Sequence, residues 1–592
     1  MSAIEMSAQS QKISLLPING TQFTAGKKVI FELTPDLGFM KAARDESYLV
    51  FTVRNSGTAR WMFATSGQSL IQRVDIFSMA TGQQLESLQE YNKMMWILDQ
   101  YSQVTHGIKQ SYEGLRKNVT SLETFANGAT APRLVSSDET AESVMNSIIS
   151  PIKTDGSLVP LGWQVCVPLK AGIFACFGEE KLTPLIAMGG LRVELTLEDE
   201  ALVCAPIQPI VGAREFRIVT DQSSAITVTQ GANTSTLSIA GTTVVATGLI
   251  AGQAVNVMAT GLAVQVVRIT SIVQAGANVT IVVDTASDVS GGNGRLIPGV
   301  KVTNAGAGTT ATLAGTTIEK SGLAVGQSVT FSDEGTTAAT AKVITALAQA
   351  GADVTITFVG NLDLSGGRAM MCVTESQWES GRGYAIDSLE YRVQQVMGTK
   401  QMLDNVSKGL LYSFRSWDLF FDSIPAASRR HQVEIPSVSS MAKCVMSHFS
   451  FASKDRDPNM PQYYTGTTPD DLALNSLQYF INNKLFPLRD YDPRVKRDRP
   501  QQYNELQKAF SAMGTPARSF GDASGSNLDG YSNTFLATRE LARGRFVYSL
   551  REAEPSIRLA FSATRDEICR VNSFVWSEKV VRVEGTNISV VL

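Results

Sequence analysis

The side chains that could carry catalysis or bind a metal are few and scattered in this chain. Its three histidines, His106, His431 and His448, lie far apart, and none belongs to an HExxH or HxH motif or lies near a cysteine pair at ligand spacing. His448 falls in a strand-like run, residues 445–451, where a lone histidine is more often a packed strand residue than a base. The GxSxG and GxxxxGK(S/T) motifs are missing, as is GxGxxG between a strand and a helix. The sequence therefore predicts no catalytic, cofactor-binding or metal-binding residues and no enzyme.

Two weaker candidates have ordinary structural explanations. The glycine-rich pieces at 291–294 and 305–308 stand in a β-turn context rather than before a helix, so they are not typical phosphate-binding loops. Four aspartates near the ends of a repeat could be calcium ligands, but aspartate at such spacings is commoner as a turn former. They are Asp284, Asp288, Asp353 and Asp363.

One basic run is the concentrated positive feature of the chain. It comprises Arg489, Arg494, Lys496, Arg497 and Arg499, interleaved with Asp490, Asp492 and Asp498. Because acids and bases alternate, the net excess is small, and the simpler interpretation is a solvated loop with local ion pairs. Contact with a genome or with an acidic neighbouring protein is the functional alternative.

Composition limits the kind of protein that this can be. The chain has 592 residues and a formal net charge of −3, so it is too long for one core and has no overall basic character. The six cysteines form no CxxC pair, which argues against a zinc ribbon or a disulfide framework. Apolar runs fall well short of the roughly 20 residues of a membrane span, and no signal-peptide pattern opens the chain. We expect a soluble multidomain protein.

Residues 223–367 differ in composition from both flanks. They are rich in Gly, Ala, Thr and Val, and contain two aromatic residues and no Cys, His, Trp or Tyr. They contain an internal repeat: residues 274–281 are QAGANVTI and residues 349–356 are QAGADVTI, which gives a period of about 75 residues. The sequence predicts an inserted domain at 222–368, made of two β-modules at about 223–295 and 296–367.

Short alternating runs bounded by turn residues predict strands in both flanks. In the first flank these are 49–54, 70–79, 165–169 and 191–197; in the second they are 388–396, 432–435, 443–451, 546–549, 557–561, 571–576, 579–584 and 588–592. One amphipathic helix is expected in each flank, at 83–101 and at 500–513. Each flank is long enough for an eight-stranded sandwich, and longer than an immunoglobulin-like domain.

Several of these runs resemble double-jelly-roll major capsid proteins such as those of polinton-like viruses and virophages. The run LIQRVDIF at 70–77, with GQQLE at 82–86 and YNK at 91–93, resembles a strand, hairpin and helix of the first jelly roll. SLEYRV at 388–393 looks like the opening strand of the second, and the runs at 557–559, 571–574 and 580–583 resemble its closing strands. QYFINNKLFP at 478–487 is similar to a loop of that family, with Phe480 where an arginine would be.

The resemblance implies an all-β fold of two eight-stranded jelly rolls side by side, with short helices. Residues 1–215 would form the first jelly roll with an N-terminal arm, and 369–592 the second. The insertion would form an outer tower, fed by paired strands at 216–220 and 369–373. The implied function is that of a major capsid protein that trimerises into pseudo-hexameric capsomers, which tile an icosahedral shell around a DNA genome.

The partners implied by the same resemblance are two further copies, neighbouring capsomers, and penton and minor capsid proteins, with an internal membrane or the genome as further contacts. The location would be the virion, assembled inside the host cell, with no small-molecule substrate. The rival hypothesis is a β-rich surface or adhesin-like protein that binds carbohydrate. Because glycan sites usually use exposed Trp or Tyr platforms and the repeats have neither, the sequence favours the capsid protein.

Overall fold

The structure is a computed structural model, and it describes most of both flanks and much of the insertion. The described residues are 10–42, 46–56, 61–101, 121–124, 130–133, 148–149, 163–177, 181–206, 234–240, 254–258, 265–275, 278–287, 295–298, 300–303, 308–313, 323, 325, 328–333, 340–351, 353–364, 369–373, 383–398, 409–437, 439–452, 462–495, 499–514, 535–542, 546–551, 553–565, 567–584 and 587–591.

The first flank is built mainly of strands. They are β1 (Ser10–Leu15), β2 (Gln22–Thr24), β3 (Lys28–Leu33), β4 (Phe39–Lys41), β5 (Tyr48–Asn55), β6 (Trp61–Phe63), β7 (Ile71–Ser78), β8 (Gln84–Leu88), β9 (Ser121–Thr124), β10 (Thr130–Arg133), β11 (Ile148–Ile149), β12 (Trp163–Pro168), β13 (Thr183–Pro184), β14 (Leu191–Leu197) and β15 (Cys204–Pro206). Two α-helices, α1 (Tyr91–Tyr101) and α2 (Glu200–Val203), and two 3₁₀ turns, Pro35–Leu37 and Gly67–Leu70, accompany them.

The insertion contributes strands β16 to β26. They are β16 (Thr234–Ala240), β17 (Ala254–Met258), β18 (Gln265–Ala275), β19 (Asn278–Ser287), β20 (Arg295–Pro298), β21 (Val300–Lys301), β22 (Gly308–Leu313), β23 (Ser328–Ser332), β24 (Thr340–Ala350), β25 (Asp353–Leu362) and β26 (Met370–Val373).

The second flank follows with β27 to β36. They are β27 (Tyr384–Val396), β28 (Leu410–Ile424), β29 (Arg430–Glu434), β30 (Ala442–Phe451), β31 (Leu474–Ile481), β32 (Lys484–Tyr491), β33 (Leu536–Glu540), β34 (Ser556–Phe561), β35 (Cys569–Glu584) and β36 (Asn587–Val591), with helices α3 (Gln462–Thr465) and α4 (Arg499–Ala512).

Strands β28 to β35 form a complete jelly roll, the second sandwich. One sheet has the order β28-β35-β30-β33 and the facing sheet the order β29-β34-β31-β32, with every pair antiparallel. Counted along the chain, the strands therefore stand in the order 1-8-3-6 in one sheet and 2-7-4-5 in the other. This alternation between two sheets is the arrangement of a jelly roll.

The first sandwich has the same strand order. Its 1-8-3-6 sheet runs β1 and β2, β27, β5, β12, and its 2-7-4-5 sheet runs β3, β14, β7, β8. The prediction of an all-β fold with two eight-stranded jelly rolls is thus confirmed by the pairing within this chain.

Strand β27 corrects one detail of the sequence analysis. Residues 388–396 were expected to open the second jelly roll, but β27 pairs with β5 and with β1, so it closes the first. The apolar side chains Ile386, Tyr391 and Val393 complete the core of the first sandwich, which explains the pairing. The insertion consequently lies between strands seven and eight of the first jelly roll.

The two repeats of the insertion form two separate sheets. The first has the order β16-β19-β18-β17-β20, and the second β21-β26-β23-β24-β25-β22. Strand β26 pairs with β21 and β23, so residues 370–373 belong to the second repeat and not to the second jelly roll. The proposed partner strand at 216–220 lies outside the described residues.

Two local predictions were wrong. The helix expected over 83–101 begins only at Tyr91, because residues 84–88 pair with β7 as strand β8. Glu90 between them has a φ of 49°, which separates the strand from the helix. Residues 546–549, expected as a strand, make a single β-bridge between Tyr548 and Ala442.

Connections in both sandwiches alternate between two ends, since consecutive strands run in opposite directions. The loops after strands one, three, five and seven lie at one end, and those after strands two, four and six at the other. Tyr101 of α1 and Phe510 of α4 both follow a fifth strand, and their rings lie 6.1 Å apart. Like ends of the two sandwiches therefore lie together.

Candidate functional site: the seam between the two sandwiches

The two jelly rolls meet along a buried interface, here called the seam. It is formed by β8, residues 170–177 and α1 of the first sandwich against β28 and β35 of the second. The 1-8-3-6 sheet of the second sandwich is buried on both faces: Val571 and Val575 point into its own core, whereas Phe574 and Trp576 join the core of the first sandwich. The two jelly rolls thus share one apolar core across the seam.

A single buried carboxylate ties three segments together at the seam. Glu86 of β8 accepts hydrogen bonds from the backbone N–H of Gly172 at 3.0 Å and of Ile173 at 2.9 Å. The hydroxyl of Ser416, on β28 of the other sandwich, donates to the same carboxylate at 2.6 Å. Burial raises the pKa of Glu86, and these hydrogen bonds together with the charge of Lys579 oppose the rise.

Aromatic side chains fill the seam beside Glu86. The ring of Phe177 lies 5.6 Å from Trp417 and 5.0 Å from Trp576, both edge-on, and the two indoles are 5.1 Å apart. The indole N–H of Trp417 donates to the carbonyl of Gln89 at 3.3 Å. Contacts of this kind between large rings favour one relative placement of the sandwiches over others.

A second polar cluster lies further along the seam, around Glu198. Asn92 of α1 donates to its carboxylate at 2.8 Å, and the hydroxyl of Tyr384 donates to its backbone carbonyl at 2.6 Å. Tyr463 and Tyr464 of the second sandwich close the cluster, with the Tyr463 hydroxyl donating to Glu90 and that of Tyr464 to the Leu202 carbonyl. Burial raises the pKa of Glu198, with hydrogen bonds from Asp199 and Asn92 acting against it.

His448 faces this same cluster. Its Nε2 donates to the Tyr464 carbonyl at 3.0 Å, and burial together with the nearby charge of Lys93 lowers its pKa to about 3. Lys93 in turn pairs with Glu90 at 3.3 Å and lies 4.0 Å from the Tyr463 ring centre. His448 is therefore a neutral packed side chain, as the sequence predicted, although its strand is buried on both faces rather than alternating.

A cleft of about 530 Å³ opens at the end of the seam, lined by Glu90, Lys93, Phe421, Asp422, Ser423, Tyr463, Arg570 and Asn572. Its charges are of both signs, and Phe421 is 61% exposed. No cluster of three or more Asp, Glu, His or Cys side chains suited to a metal ion occurs among the described residues. Within that part of the chain, no helix has the length and apolar character needed to cross a membrane.

Among the residues that the structure describes, the other candidates from the sequence do not come together. His431 Nε2 lies 3.7 Å from Asp422 at the surface of the second sandwich. Asp284 lies in β19, Asp353 begins β25 and Asp363 follows it. His106, Asp288 and the glycine-rich pieces 291–294 and 305–307 lie outside the described residues.

The basic run agrees with the simpler interpretation where it is described. The guanidinium of Arg494 makes two hydrogen bonds to Asp492, from Nε at 3.1 Å and from Nη2 at 2.9 Å, and its Nη1 donates to Ser562. Residues 496–498 lie outside the described part. The run extends from the end of β32, the fifth strand, to the first residue of α4, and so lies at the end that carries the insertion.

Sequence reasoning missed the seam residues Glu86, Glu198, Trp417 and Tyr463. Residues 442–450 of β30 are all buried, because this strand lies in the sheet between the two cores. Its sequence includes Lys443, Ser447 and His448, so it lacks the continuous apolar run that is typical of a strand covered on both faces.

Comparisons with known proteins give likenesses of structure alone. No protein-family model matches the chain, and no curated protein matches it in sequence. PBCV-1 VP54, fitted into a reconstruction of the virophage Sputnik, is similar at 10% identity and a TM-score of 0.42, over 100% of this chain and 99% of that one. The Faustovirus major capsid protein is similar at 8% identity and a TM-score of 0.44, over 98% of this chain and 91% of that one. The Sputnik virophage structure is similar at 6% identity and a TM-score of 0.39, over 99% of this chain and 88% of that one. The jelly-roll assignment of this chain therefore stands on its own strand order.

Proposed function

We propose that this chain is a viral major capsid protein, three copies of which form a capsomer of pseudo-hexagonal outline. The observation that carries the proposal is the pair of jelly rolls with one strand order, joined in one chain through a shared buried core. A shell needs building blocks of fixed shape, and the seam supplies that. Three copies of a two-sandwich block present six similar units around one axis.

The position of the insertion supports its role as an outer tower. It extends the loop after the seventh strand of the first sandwich, and an insertion whose ends emerge from one loop costs the host fold little. The basic run lies at this same end of the molecule. We therefore place the run outside the shell, beside the tower, where an acidic neighbour is a more suitable partner than the genome.

The opposite end carries the loops after the second, fourth and sixth strands, and it would face the interior of the virion. An internal membrane or the DNA genome would meet the capsomer there. Neighbouring capsomers, penton proteins and minor capsid proteins would meet it at its sides. The proposed role is structural rather than catalytic, and the proposed location is the virion, after assembly inside the host cell.

The proposal is tested by the mass and outline of the purified full-length protein. Native mass spectrometry should give a trimer, and negative-stain images should show a pseudo-hexagonal particle with a projection on one side. A chain that stays monomeric at high concentration would refute the capsid assignment.

A further inference from the structure

The second sandwich carries an aromatic side chain equivalent to the one that the first sandwich contributes to the seam, and this one is exposed. In the seam, the loop after the sixth strand of the first sandwich presents Phe177 to the 1-8-3-6 sheet of the second, against Trp417 and Trp576. Arg415 Nη1 of that sheet approaches the Phe177 carbonyl at 3.5 Å. In the second sandwich the equivalent connection, after β33, includes Phe546, which is 79% exposed.

The loop that carries Phe546 is held in place by the sheet behind it. Lys443 Nζ donates to the Phe546 carbonyl at 2.7 Å, and Tyr548 exchanges two backbone hydrogen bonds with Ala442, at 3.0 and 2.9 Å. Leu550 N–H donates to the Ser439 carbonyl at 2.8 Å. Phe546 and the neighbouring Val547 are thus presented to solvent by a fixed backbone, which lowers the entropy cost of docking them.

The other half of the contact is the outward face of the first sandwich's 1-8-3-6 sheet. Cys166 and Tyr48 are half-buried on this face, and Val50, directly opposite Cys166 in the register of β5 and β12, is 4% exposed and lies beneath them. A charged rim surrounds this small centre, with Arg54 paired to Asp387 at 2.6 Å and Arg392 paired to Glu390 at 3.4 Å. An apolar centre inside a charged rim is the usual anatomy of a protein interface.

We infer that Phe546 of one copy docks on this outward face, around Cys166 and Tyr48, in a second copy of the chain. The inference rests on the proposed capsomer and assigns its contact between copies. The contact joins unlike surfaces, so it repeats head to tail, and such a contact gives a closed ring when its rotation closes. Contacts would then alternate around the ring, with an apolar seam inside each chain and a charge-rimmed contact between chains.

The docked pair can be identified by cross-linking with a native cysteine. Cys166 is a partly exposed thiol, so the F546C variant, treated with a short bismaleimide, should give covalent dimers and trimers on a denaturing gel. Adding C166S to F546C should abolish that ladder. A native trimer of F546C that gives no Cys166-dependent link would overturn the inference.

A charged side chain at position 546 tests the same contact through its effect on the affinity between copies. F546E should raise the concentration at half trimerisation about 100-fold or more, because each contact would lose a buried ring and gain a buried charge. F421E is the matched control, since Phe421 is also exposed on the second sandwich but lines the cleft within the chain. It should leave the trimer intact.

The outcomes separate the inference from the proposed function. A wild-type chain that is monomeric refutes both the capsomer and this contact. A wild-type trimer that F546E leaves unchanged, with circular dichroism showing both proteins folded, refutes this contact alone and leaves the capsomer in place.

Discussion

Gly172 is the position at which the seam is most sensitive to a single methyl group. A Cβ added there would lie 2.1 Å from the Arg415 carbonyl oxygen of the other sandwich and 2.7 Å from Glu86 Oε1. The nearer atom belongs to the backbone of β28, which is paired along its whole length with β35 and cannot turn aside. Gly172→Ala should therefore push the two sandwiches apart locally.

The destabilisation caused by Gly172→Ala can be estimated from the contacts that the displacement disrupts. Real Cβ contacts essentially never fall below 3.0 Å, so the 2.1 Å approach requires a shift of about 1 Å or more. This shift also stretches the hydrogen bonds that Glu86 accepts from Gly172 and Ile173. Overpacking costs about 1–3 kcal/mol, and weakening hydrogen bonds to a buried charged group adds about 1.5–3 kcal/mol. Together these costs give a local destabilisation of about 2.5–6 kcal/mol.

Hydrogen exchange at the seam measures this directly. The amides of Gly172 and Ile173 donate to Glu86 in the folded protein, and a loss of about 3 kcal/mol raises their exchange rates roughly 100-fold when exchange follows local opening. Gly308→Ala is the control, because a Cβ at Gly308 has no atom within 4 Å. Exchange at residues 172–173 within about threefold of wild type in Gly172→Ala would refute the packing argument for the seam.

Three further changes test other parts of the structure. Burial raises the pKa of Glu198 above its ordinary 4.5, so above pH 4.5 the folded chain binds more protons than the unfolded chain, and the free energy of unfolding falls as pH rises through the folded pKa. Glu198→Gln should flatten this fall in urea titrations between pH 4.5 and 7. An unchanged slope in the variant would contradict the prediction. Trp417→Ala should cost about 3–5 kcal/mol as a cavity at the centre of the seam, measured by calorimetry beside Phe421→Ala, which should cost under about 1 kcal/mol. Replacing residues 223–373 by a Gly/Ser linker should leave circular dichroism and melting of both sandwiches intact; loss of folded protein would show that the repeats belong to the host core.

The sequence predicted the strands of the sandwiches well where apolar and polar side chains alternate. Leu191 to Leu197 alternates strictly, and the strand has those same bounds in the structure. The insertion could also be predicted from the sequence, because a change in composition and a sequence repeat can be recognised without knowledge of tertiary contacts. Its end was misplaced, since β26 reads as a short apolar run that could pair with either neighbour.

Prediction failed where a long-range partner decides the conformation. The segment Gln84–Leu88 has apolar residues at helical spacing with the helix after it, and only pairing with β7 makes it a strand. The eighth strand of the first jelly roll is likewise separated from the seventh by the whole insertion. No local pattern records that β27 returns to β5 rather than opening the next domain.

The outward faces of the two equivalent sheets differ in chemistry. In the second sandwich the outward face of the 1-8-3-6 sheet carries Trp576 and Phe574, and it is covered within the chain as soon as the chain folds. In the first sandwich the same face carries Arg54, Glu390 and Arg392 around a small apolar centre. An apolar face there would promote aggregation before any partner arrives, whereas a charged face stays soluble and sets the register of docking. In the proposed capsomer, the same strand order would support a permanent contact inside the chain and a reversible one between chains.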